Sequence, residues 1–281
     1  LIKMKKIFIT AEIGINHNGD INIAKKLIDM AKFAGCDAVK FQKRNIDIVY
    51  DKTTLNLPRE SQWGTTQRQQ KEGLEFNKEE YGIIDKYCAE IGIDWYCSSW
   101  DIDSQRFIRT FNLKYNKIPS AMLTYRPILE FVADEKKYTF ISTGMSNLEQ
   151  IDDAVNIFRK KNCEFELMYT TSTYPSKAEE IDLNCIPMLI KRYGCKVGYS
   201  GHESCAFNIS LAAVSLGASS IERHITLSRA MYGTDQSASI EIMGLLQLIR
   251  GIRDIEKTLG KGTKEILASE IPIMKKLRWF N

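Results

Sequence analysis

Short apolar runs alternate with amphipathic segments along almost the whole chain, and this alternation constrains the fold more than any other feature. Few of the runs show period-two alternation, which is typical of parallel strands buried on both faces. Eight strand–helix repeats predict a closed (β/α)8 TIM barrel, forming a single domain over residues 1–281. The predicted strands are 7–11, 38–42, 94–98, 115–118, 139–142, 165–169, 196–200 and 220–224.

Helical patterns fill the gaps between these strands. Capping boxes are predicted at Asn77 and at Ser146, and Gly35 and Gly92 are predicted helix stops. The alternative fold is an open doubly wound sheet, but the Gly-x-Gly-x-x-Gly pattern expected after its first strand is absent from the sequence. The predicted helices are 24–34, 77–91, 148–159, 183–193, 206–216 and 240–259.

One connection, residues 43–76, is much longer than the others and is rich in Arg and Gln. Connections of this length are usually functional or mobile. At the carboxyl end of a barrel strand, this insertion would be a lid over the active site. A surface excursion explains its composition equally well.

Composition and charge exclude several classes of protein. The formal net charge of +4 is spread over both signs, which does not favour nucleic acid binding. No apolar run approaches the ~18 residues of a membrane span, and the N-terminus does not resemble a signal peptide. Seven scattered cysteines without a C-x-x-C motif favour free thiols. We therefore expect a cytoplasmic protein with neither nucleic acid nor membrane as a partner.

Polar side chains recur where the predicted strands end. In a barrel these ends share one rim, where barrel enzymes place their active sites. Two lysines and many hydroxyls on that rim are suited to a small anion such as a phosphate or a carboxylate. Any one of these side chains is as readily a local cap, so the prediction depends on their recurrence. The candidates at the strand ends include Glu12, Lys40, Gln42, Ser99, Lys117, Ser120, Ser172, Tyr174, Ser200 and Glu222.

All three histidines of the chain, His17, His202 and His224, lie in strand-end regions. His202 and His224 follow neighbouring strands and are predicted to face each other across one site. Two imidazoles with nearby oxygen donors suit manganese, iron or cobalt, with zinc as an alternative. The alternative is that each histidine only hydrogen-bonds a turn. Asp235, in the loop after the last strand, is a candidate for binding substrate hydroxyls or is a solvated loop acid.

Four motifs match, in order and at consistent strand ends, those of a known family. Over roughly residues 4–260 the chain resembles the sialic acid synthases, also called N-acetylneuraminate synthases. The motifs are AEIGINHNG at 11–19, VKFQ at 39–42, GYSGH at 198–202 and ERHIT at 222–226.

The resemblance implies that phosphoenolpyruvate condenses with an open-chain N-acyl amino sugar such as N-acetylmannosamine, giving a nonulosonic acid and phosphate. It implies a divalent metal on His202 and His224, most often manganese, with magnesium or cobalt as alternatives. It makes Glu12 and Glu222 candidates for handling the proton of a water molecule. It assigns phosphoenolpyruvate to Lys40, Lys117, Ser99, Ser120 and Ser200, with Ser172 where the family has an asparagine. It assigns the sugar to Gln42, Tyr174 and Asp235.

The chain departs from the family pattern in two further ways. Met122 stands where the family often has a sugar-contacting glutamate, so the acceptor need not be N-acetylmannosamine. The resemblance also covers only the barrel, because many members carry a C-terminal antifreeze-like domain that these 281 residues do not include. A homodimer is compatible with the resemblance, but we do not expect it to form through that domain. For a phosphorylated acceptor, the candidate contacts are Arg44, Arg59 and Arg68.

Two other functions are left open by the residues. Lys40 or Lys117 is a candidate for a Schiff base with pyruvate, as in many barrel aldolases. A non-catalytic sugar-acid binding protein is the third hypothesis, which Met122 and the missing domain motivate. The full set of strand-end residues favours the synthase.

Overall fold

The computed structural model describes residues 6–260 and 262–280. Eight parallel strands close into a barrel in the order β1-β10-β9-β8-β7-β6-β5-β2, so the predicted TIM barrel is confirmed and the open sheet is wrong. β3 and β4 pair in a separate antiparallel hairpin. The strands are β1 (Phe8–Gly14), β2 (Ala38–Lys43), β3 (Pro58–Ser61), β4 (Gly64–Thr66), β5 (Asp94–Ser99), β6 (Tyr115–Ile118), β7 (Tyr138–Ser142), β8 (Phe165–Thr170), β9 (Val197–Gly201) and β10 (Ser220–His224).

The α-helices mostly lie between consecutive barrel strands. Their sequence pattern does not predict α6 and α7, because eight residues contain barely two turns of the apolar repeat. None of the helices in the described residues is long and apolar enough to cross a membrane. The helices are α1 (Ile21–Ala34), α2 (Ile46–Val49), α3 (Lys52–Asn56), α4 (Gln67–Gly73), α5 (Lys78–Ile91), α6 (Ile102–Arg109), α7 (Arg126–Ala133), α8 (Leu148–Lys160), α9 (Cys185–Tyr193), α10 (Ala206–Ser215), α11 (Ile242–Thr258) and α12 (Glu270–Leu277).

The inside of the barrel is filled in layers. At the amino ends of the strands, the ring centroid of Phe8 lies 5.6 Å from that of Phe140. Above it, Tyr96 stacks on Phe140 at 5.6 Å and its hydroxyl hydrogen-bonds Thr10 Oγ1 at 2.8 Å. Because side chains alternate along a strand, Phe8 and Thr10 share their face of β1 with Glu12. The aromatic layers thus close the barrel beneath a charged layer at its carboxyl end.

The insertion 43–76 is folded into α2, α3, the β3–β4 hairpin and α4. Aromatic contacts anchor it at its C-terminal end and at the turn between β3 and β4. Phe76 stacks on His17 with ring centroids 4.0 Å apart, and Trp63 packs against Tyr232 at 6.2 Å. The lid role of this segment stays a prediction.

The N-cap of α8 lies one residue after the predicted position. Asn147 Oδ1 accepts a hydrogen bond from the Gln150 amide, and Gln150 Oε1 accepts one from the Asn147 amide, both at 3.0 Å. Ser146 fits the sequence pattern equally well, but its hydroxyl donates to the Gly144 carbonyl instead. The capping box predicted at Asn77 is confirmed.

Replacing Asn147 with alanine should lower the free energy of unfolding by about 1 kcal/mol, because the Gln150 amide loses its acceptor. Ser146→Ala is the matched control and should change that free energy by no more than about 0.5 kcal/mol. Urea unfolding of both variants measures the difference. A larger loss in Ser146→Ala would contradict the assignment of the cap.

Candidate active site

A cavity of about 130 Å³ opens at the carboxyl ends of the barrel strands. All but two of the residues predicted for the site lie in its wall. Their side chains come from most of the barrel strands and the loops that follow them, which only a closed barrel brings together. These residues are Glu12, Lys40, Gln42, Lys117, Ser120, Ser172, Tyr174, Ser200, His202, Glu222 and His224.

Four buried charges form the floor of this cavity. Lys40 Nζ lies 3.1 Å from Glu12 Oε2 and 3.4 Å from Glu222 Oε1. Lys117 Nζ lies 3.1 Å from Glu222 Oε2, and Ser200 Oγ donates to Glu222 Oε1 at 3.0 Å. Buried charges are tolerated only when they are paired in this way. The floor therefore holds two ammonium groups in place before any substrate arrives.

Burial and pairing set different protonation states for these groups. Burial lowers the pKa of Lys117 to about 8, although Glu222 opposes this shift. Burial alone would raise the pKa of Glu222, but Lys117 and Lys40 outweigh it and lower that pKa to about 2. Burial also raises the pKa of Glu12, against the charge of Lys40. Near neutral pH, Glu222 is thus ionised, while Glu12 takes up a proton more readily than an ordinary glutamate.

Hydroxyl groups line the wall beside this floor. Ser120 and Ser172 both approach Gly144, the residue two positions after the end of β7. A Cβ atom at Gly144 would lie 2.8 Å from Ser120 Oγ and closer still to Ser172 Oγ. Glycine at this position therefore lets the side chains of both serines pack against the backbone while they line the cavity.

The two histidines predicted to share a site do so. The ring centroids of His202 and His224 are 5.4 Å apart, and the Tyr174 ring lies 3.9 Å from that of His202. His202 Nδ1 lies 2.8 Å from the Thr171 carbonyl, which can only accept, so Nδ1 carries the proton and Nε2 keeps a lone pair. Burial lowers the pKa of His202 to about 3, so this imidazole is neutral at physiological pH.

The third histidine has a different role. His17 Nδ1 accepts a hydrogen bond from the Gly19 amide at 3.0 Å, and its ring packs between Phe41 and Phe76. It lines neither this cavity nor the one beside it. His17 therefore lies outside the site of His202 and His224, although it follows a strand as they do, and it joins the insertion to the barrel.

Ser99 is predicted to contact phosphoenolpyruvate, but the preceding residue, Ser98, lines the cavity instead. Gln42 pairs with Ser98 in the register of β2 and β5, so Ser98 faces the cavity with Gln42 and Ser99 faces away. The period-two pattern of Tyr96 and Ser98 was the signal that could have identified this. The wall also contains Ser98, Trp100, Ser142, Met145 and Thr170, which the predicted site leaves out.

Asp235 lines a second cavity, of about 330 Å³, which shares Gln42, Trp100 and Tyr174 with the first. Asp235 Oδ2 lies 3.6 Å from His224 Nδ1 and so lies between the two cavities. Most of the remaining wall comes from the insertion 43–76. Met122, at the position where the resemblance implies a sugar-contacting glutamate, lines neither cavity.

Comparisons with known proteins show which family the chain belongs to. The model of the NeuB family matches residues 27–264. The chain is 37% identical to the N-acetylneuraminate-9-phosphate synthase of Homo sapiens over 96% of this chain and 76% of that protein. It is equally 37% identical to the N,N'-diacetyllegionaminic acid synthase of Campylobacter jejuni, over 95% and 81%.

A solved structure gives the same answer. The N-acetylneuraminic acid synthetase of Leptospira borgpetersenii, in complex with citrate, superposes with a TM-score of 0.86 at 30% identity, covering 98% of this chain and 94% of that one. The predicted family and the prediction that the chain is a synthase are confirmed. The chain belongs to the NeuB family.

Proposed function

We propose that the chain condenses phosphoenolpyruvate with the open-chain form of an N-acyl amino sugar, releasing phosphate and forming a nonulosonic acid. The synthase names of its relatives support this class of reaction. The observation that carries the proposal is the pair of buried ammonium groups, of Lys40 and Lys117, in one cavity with the hydroxyls of Ser120 and Ser172. Phosphoenolpyruvate has two anionic groups, and this arrangement offers cations and hydroxyls to both.

In the proposed reaction, C3 of phosphoenolpyruvate attacks the aldehyde carbon of the sugar. C2 becomes cationic and takes up water, and the tetrahedral intermediate then expels phosphate by breaking the C2–O bond. Glu222, which stays ionised, can stabilise the positive charge at C2. Glu12 is the better acceptor for the proton of the attacking water, since its pKa is raised.

His202 and His224 would hold a divalent metal, for which we propose manganese first and magnesium or cobalt as alternatives. The donor atoms fit: the Thr171 carbonyl fixes His202 with Nε2 free, and His224 Nδ1 has no hydrogen-bond partner in the described part of the chain. When bound, such a metal would polarise the aldehyde oxygen of the sugar. Residues 6–260 and 262–280 contain no cluster of three or more His, Cys, Asp or Glu residues arranged for a metal, and the proposal names His202 and His224 alone as protein ligands.

The test is an assay of phosphate release from phosphoenolpyruvate with manganese and a panel of acceptors: N-acetylmannosamine, mannose, their 6-phosphates and diacetamido hexoses. We expect release that needs phosphoenolpyruvate, an acceptor and the metal together, with a nine-carbon acid detected by mass spectrometry. Stable phosphoenolpyruvate with every acceptor and metal would contradict the proposal.

Replacing Gly144 with alanine should raise the KM for phosphoenolpyruvate roughly 10-fold or more, because the added methyl group would displace the hydroxyls of Ser120 and Ser172. Gly82→Ala in α5 is the matched control, since a Cβ there meets no atom within 4 Å. Its KM should equal that of the wild type. Equal KM values in all three proteins would remove Gly144 from the phosphoenolpyruvate site.

A Schiff-base aldolase is a second candidate, because the lowered pKa of Lys117 leaves part of its amine unprotonated. Borohydride in the presence of pyruvate distinguishes the two reactions. The synthase predicts no trapped adduct and full sensitivity to chelators, whereas an aldolase predicts the reverse. A non-catalytic binding protein would show a ligand-dependent rise in Tm without product. A cytoplasmic location and a homodimer stay predictions.

A further inference from the structure

The larger of the two cavities is cationic at the end away from the histidines. Arg44, Arg59 and Lys71 line it, from the start of the insertion, from β3 and from α4. Two acidic residues also line this cavity, but neither pairs with Arg59 or Lys71. Asp235 lies beside His224, and Glu75 pairs with Lys43 at 2.9 Å and with Arg44 at 3.6 Å.

Two of the three cations lack a carboxylate partner. Within the described residues, neither Arg59 nor Lys71 forms an ion pair, and the ammonium group of Lys71 lies over the Tyr50 ring at 4.1 Å. Partial burial lowers the pKa of Lys71, and the charges of Arg44 and Arg59 add to this effect. Arg44 is held in place by stacking on Trp100 at 4.3 Å, and its buried Nε has no hydrogen-bond partner in the described chain. Like charges gathered without counter-charges are unfavourable unless an anion joins them.

We propose that the acceptor sugar carries a phosphate monoester, which binds to Arg44, Arg59 and Lys71. This inference rests on the proposed condensation and identifies its acceptor class. A phosphate monoester carries about −1.5 to −2 charges near neutral pH, which matches several cations better than a single carboxylate does. The two cavities share Gln42, Trp100 and Tyr174, so one sugar can place its aldehyde near the histidines and its phosphate among these cations.

Another arginine of the insertion, Arg68, lies outside this cavity. Arg68 was a candidate for the same contact, but it pairs with Asp47 at 2.7 Å and Glu72 at 3.0 Å and does not line the cavity. Lys71, three residues later in α4, lines the cavity, although no pattern in the sequence singles it out. Arg68 thus serves as a matched control for a charge removed from the same helix.

The test compares N-acetylmannosamine with its 6-phosphate in the wild type and in Arg59→Gln, Lys71→Gln and Arg68→Gln. The wild type should prefer the phosphorylated sugar in kcat/KM. Arg59→Gln and Lys71→Gln should each lose roughly 10- to 100-fold with that sugar and change less than about 3-fold with the neutral one. Arg68→Gln should match the wild type with both sugars.

Calorimetric titration of the sugar phosphate into each protein separates failure of this inference from failure of the condensation. Turnover that is faster with neutral acceptors, or equal losses for both sugars, would overturn the phosphate site and leave the synthase intact. Binding of the sugar phosphate that weakens in Arg59→Gln, without turnover of any acceptor, would support the phosphate site and overturn the condensation.

Discussion

Replacing Glu222 with glutamine is expected to abolish measurable turnover and to lower the free energy of unfolding by about 3–5 kcal/mol. Glu222 is the shared partner of Lys40 and Lys117, and all three side chains are at least 94% buried. Without its charge, two ammonium groups face each other across the floor with only Glu12 to balance them. A lysine that loses its proton under these conditions no longer offers a cation to the substrate.

The stability difference should depend on pH in a defined direction. The pKa of Glu222 is about 2 in the folded protein, below its ordinary value of 4.5, so the carboxylate stabilises the fold fully above pH 4.5. That contribution falls as the pH drops from 4.5 toward 2. The gap between wild type and Glu222→Gln should therefore be widest near neutral pH and narrow below pH 4.5.

Urea unfolding at several pH values, with phosphate release at neutral pH, measures both effects. Glu130→Gln is the control, because Glu130 is half-exposed and pairs with Arg126 across one helical turn. Removing such a surface pair should change the free energy of unfolding by less than about 1 kcal/mol at any pH. A Glu222→Gln protein that keeps wild-type turnover and stability would contradict the charged floor described here.

Much of the fold and of the site follows from local pattern alone. Six of the eight predicted strands share at least one terminus with the observed strand and differ from it by no more than one residue at the other terminus. The strands at 115–118 and 220–224 match at both termini. Parallel strands in a closed barrel all end on one rim. The polar residues that follow the apolar runs therefore lie close together, whatever their separation in the sequence. Lys40 and His224 could be placed together for this reason without any knowledge of their distance.

What the sequence could not supply was orientation and long-range packing. Ser98 and Ser99 are the same residue type, and only the register with β2 shows which one faces the cavity. His17 follows a strand as the other histidines do, but its ring stacks on Phe76, which is 59 residues later in the chain. It therefore packs between the insertion and the barrel and not in the cavity. The same holds for Lys71, whose place beside Arg59 depends on how the hairpin and α4 fold together.

Replacing His202 or His224 with alanine should reduce kcat/KM roughly 10³-fold, because several kcal/mol of polarisation at the aldehyde oxygen depend on the ion that both imidazoles would hold. The readout independent of turnover is Tm. After treatment with a chelator, the wild type should gain Tm when manganese is added, since the ion binds the folded state only. Neither variant should gain it, because one imidazole cannot replace two.

His17→Gln is the control that separates a metal ligand from a buried histidine. It loses the stacking on Phe76 and the bond from Gly19, so its Tm should start lower than that of the wild type. It should nevertheless show the full rise in Tm with manganese, because His202 and His224 are intact. If all three variants lose the rise equally, the shift reports general destabilisation and not coordination. Unchanged turnover in both His202→Ala and His224→Ala would refute the metal assignment. Other side chains of the cavity would then have to activate the aldehyde.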